Sequence, residues 1–285
     1  MANSTLSTPS QKQYLGNYDS NTLHQFIQRE ALREAAFFTP YLKAGMNLLD
    51  CGCGPGTITV GLAALLNPGT VIGIDVAEEQ FEIGRSLARD RQLSHITFQK
   101  ADIYNLPFPD ESFDAVFIHA VLYHLNNPLA ALKEVYRVLK PEGVLGVRES
   151  NQEGEIYAPP EIPIQSVWNL LYKVHAYHGG NPQFGKTLKE AFRKTGLVDI
   201  IVSASYDCYN THEAIKNIGT MLNQYLKSPR IYEVILAEQW ADQAEIEKLQ
   251  DLIETWIAHP DAFMARCRCE AVGWKKSPGF LQSTD

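Results

Sequence analysis

The chain has 285 residues, 45% of them hydrophobic, enough for one large α/β domain with decorations or one domain and a small second lobe. Its formal net charge is -8 and its 25 basic residues are scattered, so the concentrated basic patch of a nucleic-acid binder is missing and a nucleic-acid partner is disfavoured. The polar N-terminus lacks the apolar core of a signal peptide or anchor, and no stretch reaches the eighteen or so apolar residues of a spanning helix; a cytoplasmic protein with no membrane partner is expected. The five cysteines lack paired structural-zinc spacing and read as reduced thiols.

In chain order, residues 1–20 read as an arm. An amphipathic helix is expected from Asn21 to Tyr41 on the positions Leu23, Phe26, Ile27, Leu32 and Phe37. The rhythm then changes to strands at Asn47–Cys51, Val71–Val76, Ile96–Lys100, Phe113–His119 and Gly143–Glu149. Helices at Thr57–Leu66, Glu78–Arg91 and Pro128–Leu139 alternate with them. That alternation predicts a parallel sheet covered on both faces, with ligands bound beyond the carboxyl ends of its strands. The second half departs from the pattern. A Pro- and aromatic-rich helical segment covers about 155–180, and a helix is expected at Thr187–Thr195. Strands at Val198–Cys208 and Ala262–Trp274 enclose further helices at Thr211–Leu226 and Arg230–Ala258. The expected organisation is an arm and helix over 1–40, a ligand-binding core over 41–154, and the rest of the core with helical insertions over 155–285.

The strongest local signal is LLDCGCGPG, where Gly52, Gly54 and Gly56 follow a strand and open a helix. Glycine permits the tight turn and the close approach of backbone to ligand. The dinucleotide fingerprint G-x-G-x-x-G is the rival, but here the third glycine comes one residue early and Asp50 is expected on the rim of the turn. An anion there repels a pyrophosphate and favours an α-ammonium group, which suits an amino-acid-bearing nucleoside. Asp75, ending the second strand, suits the two hydroxyls of a ribose in either ligand. Asp102, after the third strand, suits an adenine amino group, with Ile103 against the base.

With these pieces in place, residues 46–150 resemble the class I S-adenosylmethionine-dependent methyltransferases, in particular the branch of ubiquinone/menaquinone-biosynthesis and natural-product enzymes. The matching stretches are LLDCGCGPG, VIGIDVAEEQ, ADIYNLPFPDESFDAVFIHAVLYHL and ALKEVYRVLKPEGVLGV. The resemblance implies a Rossmann-like α/β fold with a seven-stranded, mostly parallel sheet in the order 3-2-1-4-5-7-6, and S-adenosyl-L-methionine as cofactor, leaving as S-adenosyl-L-homocysteine. Carried over by position, it implies Asp50 near the methionine amine, Gly52, Gly54 and Gly56 near its backbone, Asp75 on the ribose, Asp102 and Ile103 on the adenine, and His119 at the methionine end through its backbone. Val76, Gln80, Ala101 and Tyr14 complete the expected cofactor contacts. The helical stretches at 155–180 and 211–258 depart from the family pattern and are read as a substrate lid.

Subclasses separate on the fourth and fifth strands. Ile118-His119-Ala120-Val121 is not the Asn/Asp-Pro-Pro-aromatic motif of base and glutamine methylation, and a Pro-Cys nucleophile is absent. His119 and Arg148-Glu149-Ser150-Asn151 stand where metal-dependent catechol enzymes place acids, so no metal is expected. The expectation is methyl transfer to N, O or C of a small aromatic or apolar acceptor, a secondary metabolite. Quinone-ring C-methylation and a non-catalytic S-adenosylmethionine-binding subunit are the alternatives, and the oligomeric state is left open. His124 and Glu149 are the general-base candidates and Tyr18 a catalytic positioning residue. His175 and His178 read as surface residues of the divergent segment.

Overall fold

The computed structural model describes Ile27 and residues 29–277. Strand β1 (Leu48–Cys51) is buried throughout, as an interior strand of a parallel sheet must be. It pairs in parallel with β2 (Val71–Asp75) on one side and β4 (Phe113–His119) on the other. Outside these lie β3 (Ile96–Lys100) and β5 (Leu139–Ser150), also parallel. The last strand, β8 (Phe263–Lys275), runs antiparallel to β5, and β7 (Leu197–Tyr209) lies antiparallel along its far edge. The expected order is therefore present.

Two expectations change. Eight strands rather than seven are present among the described residues, because the 13-residue β8 overshoots the end of β5 and its free start pairs with a short β6 (Ile156–Ala158). The long helix expected up to Tyr41 is interrupted: Ile27 is helical, residues 29 and 30 are not, and a single turn, α1 (Ala31–Glu34), is followed by a turn and a 3-10 segment at Thr39–Tyr41. The rings of Phe37 and Phe38 pack on Phe117 of β4 at 6.3 and 5.7 Å between centroids, drawing the chain across the sheet and out of helical register.

Helices α2 (Thr57–Leu66) and α3 (Phe81–Asp90) cover one face of the sheet, with a core built on Phe38, Leu48, Leu62, Leu66 and Phe117. Helices α4 (Pro128–Val138) and α6 (Leu188–Thr195) cover the other, over Leu132, Val135, Val147 and Phe192. Local sequence sets these boundaries. The Asn127 side chain caps α4 by accepting the Ala130 N–H, with Pro128 at its first position. Gly196, in the left-handed conformation, ends α6.

A separate apolar body is built by α5 (Gln165–Tyr177), α7 (His212–Lys227), α8 (Pro229–Ala237) and α9 (Gln243–Ala258) around Trp168, Leu222, Ile235, Ile253 and Trp256. The single helix expected over 230–258 is two, because Asp242 and Glu245 form a reciprocal capping box that restarts the chain as α9. Trp256 Nε1–H donates to the Ala158 carbonyl at 2.8 Å and ties this body to β6. No helix among the described residues is long and apolar enough to cross a membrane, and all five cysteines are unbridged.

A network of charged residues lies inside the sheet's α1 face. Arg148 of β5 is 2% exposed. Its Nη2 donates to Asp207 of β7 at 2.7 Å and to Ser205 at 3.1 Å, its Nε to Glu270 of β8 at 3.3 Å, and its Nη1 to Glu34 of α1. Arg268 donates to the other oxygen of Asp207 at 2.6 Å and to Ser150. Burial opposes ionisation of Asp207, but the two guanidiniums win and hold its carboxyl far below the usual range. Truncating one partner of such a network strands the others as buried charges. Arg148→Ala is expected to cost about 3–5 kcal/mol of stability in urea unfolding; a loss below about 1 kcal/mol would show that the network is not a constraint on the fold.

Candidate active site

The Gly-rich turn links β1 to α2. Gly52 N–H and Cys53 N–H donate to the Ile74 carbonyl at 2.7 and 2.9 Å, holding the turn against the end of β2. Gly52 and Gly56 have φ of +76° and +80°. A Cβ on Gly56 would fall 2.4 Å from the Phe98 ring, and one on Gly52 would fall 2.2 Å from Val121 Cγ2. Both positions thus require glycine for conformation and for space.

Asp75 ends β2 beside this turn. Its Oδ2 accepts the Gly54 N–H and its Oδ1 the Ala77 N–H, both at 3.0 Å. Burial raises its pKa against those hydrogen bonds. Val76, the next residue, is 51% exposed and offers an apolar wall. Gln80 is buried, yet neither its Nε2 nor its Oε1 has a hydrogen-bond partner among the described residues. Its Oε1 lies 3.9 Å from the place of a Cβ on Gly54. A buried carboxamide with both ends unsatisfied beside a glycine turn, a carboxylate and an exposed apolar side chain is a set of groups waiting for a polar ligand.

Among the other expected residues, Asp50 is placed differently. Asp50 does not stand on the rim: it is 2% exposed, and its Oδ2 accepts the Thr59 Oγ1 hydroxyl of α2 at 2.6 Å. Burial pushes its pKa up to about 7, and the Thr59 hydrogen bond only partly opposes this. The carboxylate faces α2 because it sits within β1, one residue before the chain turns. Asp102 Oδ1 accepts the Tyr104 N–H at 2.9 Å, shaping the turn after β3. The Ile103 side chain lies in the core, and Ala101 N–H bonds to the Asp75 carbonyl at 3.1 Å. The His119 ring is buried in the charge network, 3.2 Å from Arg148 Nη1 and 3.3 Å from Glu34 Oε2; burial drives its pKa down to about 3, so it is neutral. Tyr14 and Tyr18 lie outside the described residues.

The segment after β4 closes over the turn. Ala120 has a φ of +55°, unusual for a residue with a Cβ. Val121 N–H and Leu122 N–H both donate to Glu149 Oε1, at 2.9 and 2.6 Å. Glu149 is fully buried and its Oε2 has no partner among the described residues. Its carboxyl therefore holds the strained segment that seats Val121 on Gly52. Burial raises its pKa to about 7 against those two hydrogen bonds.

Tyr123, His124 and His175 of α5 stack together, the two histidine rings 4.8 Å apart and Tyr123 3.8 Å from His124. His175 Nε2 donates to the Tyr123 carbonyl at 2.9 Å, so this residue, expected on the surface, joins α5 to the loop beside the Gly-rich turn. Burial, then the neighbouring His175, lowers the His124 pKa well below the usual imidazole value. Sequence reading missed His175 as a joint, and it missed Arg148, Asp207, Arg268 and Glu270. The alternation Arg266-Cys267-Arg268-Cys269-Glu270 was the available signal, since it puts three charged side chains on one face of a strand.

Comparison with known proteins places the chain in a family. A methyltransferase domain model matches residues 49–147, from within β1 to the middle of β5. The chain is 32% identical over 229 residues to an uncharacterized methyltransferase of Schizosaccharomyces pombe, covering 77% of this chain and 82% of that protein. It is 27% identical to a probable methyltransferase, ltbC, of Aspergillus luteorubrus, over 94% of this chain and 99% of that one. It is 33% identical to a demethylmenaquinone methyltransferase of Lactobacillus johnsonii, over 60% of this chain and 67% of that one. Among solved structures, the YcgJ protein of Bacillus subtilis shares the fold, with a TM-score of 0.56 and 19% identity over 90% of this chain and 100% of that one. The fold is Rossmann-like, and the matched domain is that of a methyl-group transferase. The chain belongs to the S-adenosylmethionine-dependent methyltransferases.

The Glu149 clamp makes one prediction with its sign fixed. A buried carboxyl with a raised pKa is unopposed in its neutral form. Its contribution to stability is intact below about pH 4.5, is lost as pH rises towards about 7, and then levels off. Glu149→Gln keeps an acceptor oxygen for the two N–H groups and cannot ionise. Its melting temperature should fall less than the wild type's between pH 5 and 7.5. Equal slopes in the two proteins would show that Glu149 does not titrate in this range.

Proposed function

We propose that this chain transfers a methyl group to N, O or C of a small, aromatic or largely apolar acceptor of secondary metabolism, in the cytoplasm and without a metal ion. The observation that carries this reading is the apolar body of α5, α7, α8 and α9, joined to the loop after β4 by the His175–His124–Tyr123 stack. Such a lid suits an acceptor pocket that is mostly apolar with a few polar groups. We assign residues 41–154 as the donor-binding core, 155–285 as the remaining core with its lid insertions, and nucleic acid as no part of the function.

When bound, S-adenosylmethionine supplies a methyl group already activated on a sulfonium. The residues proposed to hold it are Gly52, Gly54, Gly56, Asp75, Val76, Gln80, Ala101, Asp102, Ile103 and the His119 backbone, with Asp50 supporting the turn through Thr59. Tyr14 stays within the proposal as an arm contact and Tyr18 as a positioning group. What remains for the protein is to align the acceptor, exclude water and accept a proton where the acceptor atom carries one. We assign the last task to His124, whose ring is neutral at physiological pH.

Labelled S-adenosylmethionine, incubated with a panel of phenolic, polyketide-like and quinone acceptors, tests the reading. Transfer to a phenol or polyketide supports it. Transfer confined to a demethylated quinone would favour ring C-methylation, the reading supported by similarity to the demethylmenaquinone methyltransferase. Binding of S-adenosylhomocysteine with no turnover across the panel would point to a non-catalytic subunit.

Two substitutions separate donor binding from chemistry. Asp75→Ala removes charge-assisted acceptors and is expected to weaken S-adenosylhomocysteine binding ~100-fold by calorimetry; unchanged affinity would remove Asp75 from the donor site. His124→Ala is expected to lower kcat ~10²-fold while donor affinity stays within about threefold, and full turnover would leave His124 only its stacking role.

A further inference from the structure

We propose that Arg266 and Trp168 form the polar anchor of the acceptor site, and that the acceptor carries an anionic oxygen group, such as a carboxylate or phenolate, on its apolar body. This inference rests on the methyltransferase reading and adds the chemistry that selects the acceptor.

The placement follows from register. Arg268 of β8 stands opposite Ser150, the last residue of β5. Arg266 comes two residues earlier in the antiparallel β8, on the same face, and so projects past the carboxyl edge of β5, where ligands of such sheets bind. Trp168 belongs to α5, the lid helix whose His175 is joined to the loop after β4.

The hydrogen-bonding count points to a ligand. Arg266 Nε donates to Glu155 Oε1 at 3.3 Å, while Glu155 Oε2 already accepts the Tyr172 hydroxyl at 2.6 Å and the Tyr157 hydroxyl. The guanidinium lies over the Trp168 ring, 5.0 Å from its centroid, which fixes its plane. The Glu155 bond engages only the Nε edge of the guanidinium, and the side chain is 14% exposed, so the Nη edge can still meet a ligand. The Trp168 indole N–H is buried and has no partner among the described residues. The carboxylate nearest in register, Asp207, is taken by Arg148, Arg268 and Arg33. Buried donors in native proteins find acceptors, and the fork of a guanidinium matches the paired oxygens of a carboxylate better than a single neutral oxygen. The aromatic surroundings of the pair, Tyr157, Trp168 and Tyr172, suit an apolar or aromatic frame around that group.

The test uses the full chain saturated with S-adenosylhomocysteine and two probes of one shape, 2-naphthoate and its neutral counterpart 2-naphthamide, titrated by calorimetry. The wild type is expected to bind the acid at least ~10-fold more tightly than the amide. Arg266→Met should remove that preference, and Trp168→Phe should weaken naphthoate binding several-fold, with S-adenosylhomocysteine affinity unchanged in both. Equal binding of the two probes, binding of neither, or a preference that survives Arg266→Met would overturn the proposal. Trp168→Phe carries the decision if Arg266→Met no longer binds S-adenosylhomocysteine. Failure of the wild type itself to bind S-adenosylhomocysteine would instead count against the methyltransferase reading.

Discussion

The structure turns on the need to neutralise a guanidinium buried in the middle of a sheet. Arg148 is nearly sealed from water, and a lone charge there costs several kcal/mol even after relaxation. Its compensation comes from α1, β7 and β8 through Glu34, Asp207 and Glu270. Elements 59 to 122 residues away in sequence are thereby held to the carboxyl end of β5. The directionality of these contacts matters as much as their energy, since hydrophobic packing alone would tolerate sliding. On Glu34, burial opposes ionisation, but the His119 hydrogen bond and the Arg148 charge bring its pKa down to about 2, so the network remains charged at neutral pH.

The pleat of β5 turns this one constraint into two. Arg148 and Ser150 point to the α1 face and join the charge network, whereas Glu149 points to the opposite face and holds the segment after β4. Three successive residues thus fix the strand that carries α1 and the loop that leans on Gly52. A one-residue slip of β5 would exchange these roles and bury charges against Leu132 and Val135. The strained Ala120 is tolerated within this frame because two hydrogen bonds to Glu149 directly follow it.

How far the sequence could be read follows from where the interactions lie. The turn at Gly52–Gly56 and the place of Asp75 at the end of β2 were legible because each depends on residues near in sequence and on a glycine or acid with few substitutes, whereas the strand order came only from the family resemblance. Helix α2 and strands β3 and β4 have the boundaries expected of them for the same reason. Asp50 illustrates the limit. Its position in the motif was clear, but its direction depends on Thr59, a partner that only the folded helix supplies. Strand β6 was invisible because three residues between prolines and glycines carry no period, and they pair only because β8 runs long. The charge network was half visible in the alternation of β8, but its counter-ions lie on α1 and β7, at separations no local pattern spans.

The part of the chain that matches a family model ends within β5, and the helical body of α5, α7, α8 and α9 follows it. This division has a physical basis. Under the proposed function, donor recognition asks for a fixed set of groups in a fixed turn, which the first strands and their loops can supply. The acceptor side needs only a dry enclosure and a few oriented polar groups, which many helical arrangements provide. Here the helical body is anchored at two points of different character. The aromatic stack of Tyr123, His124 and His175 joins α5 to the loop after β4, and the Glu155–Tyr157–Tyr172–Arg266 cluster joins the same helix to β6 and β8. A helix held at its carboxyl end by the first and nearer its middle by the second has little freedom to rotate. The orientation of Trp168 is then set by the sheet itself, through Arg266 of β8, whose guanidinium lies over its ring.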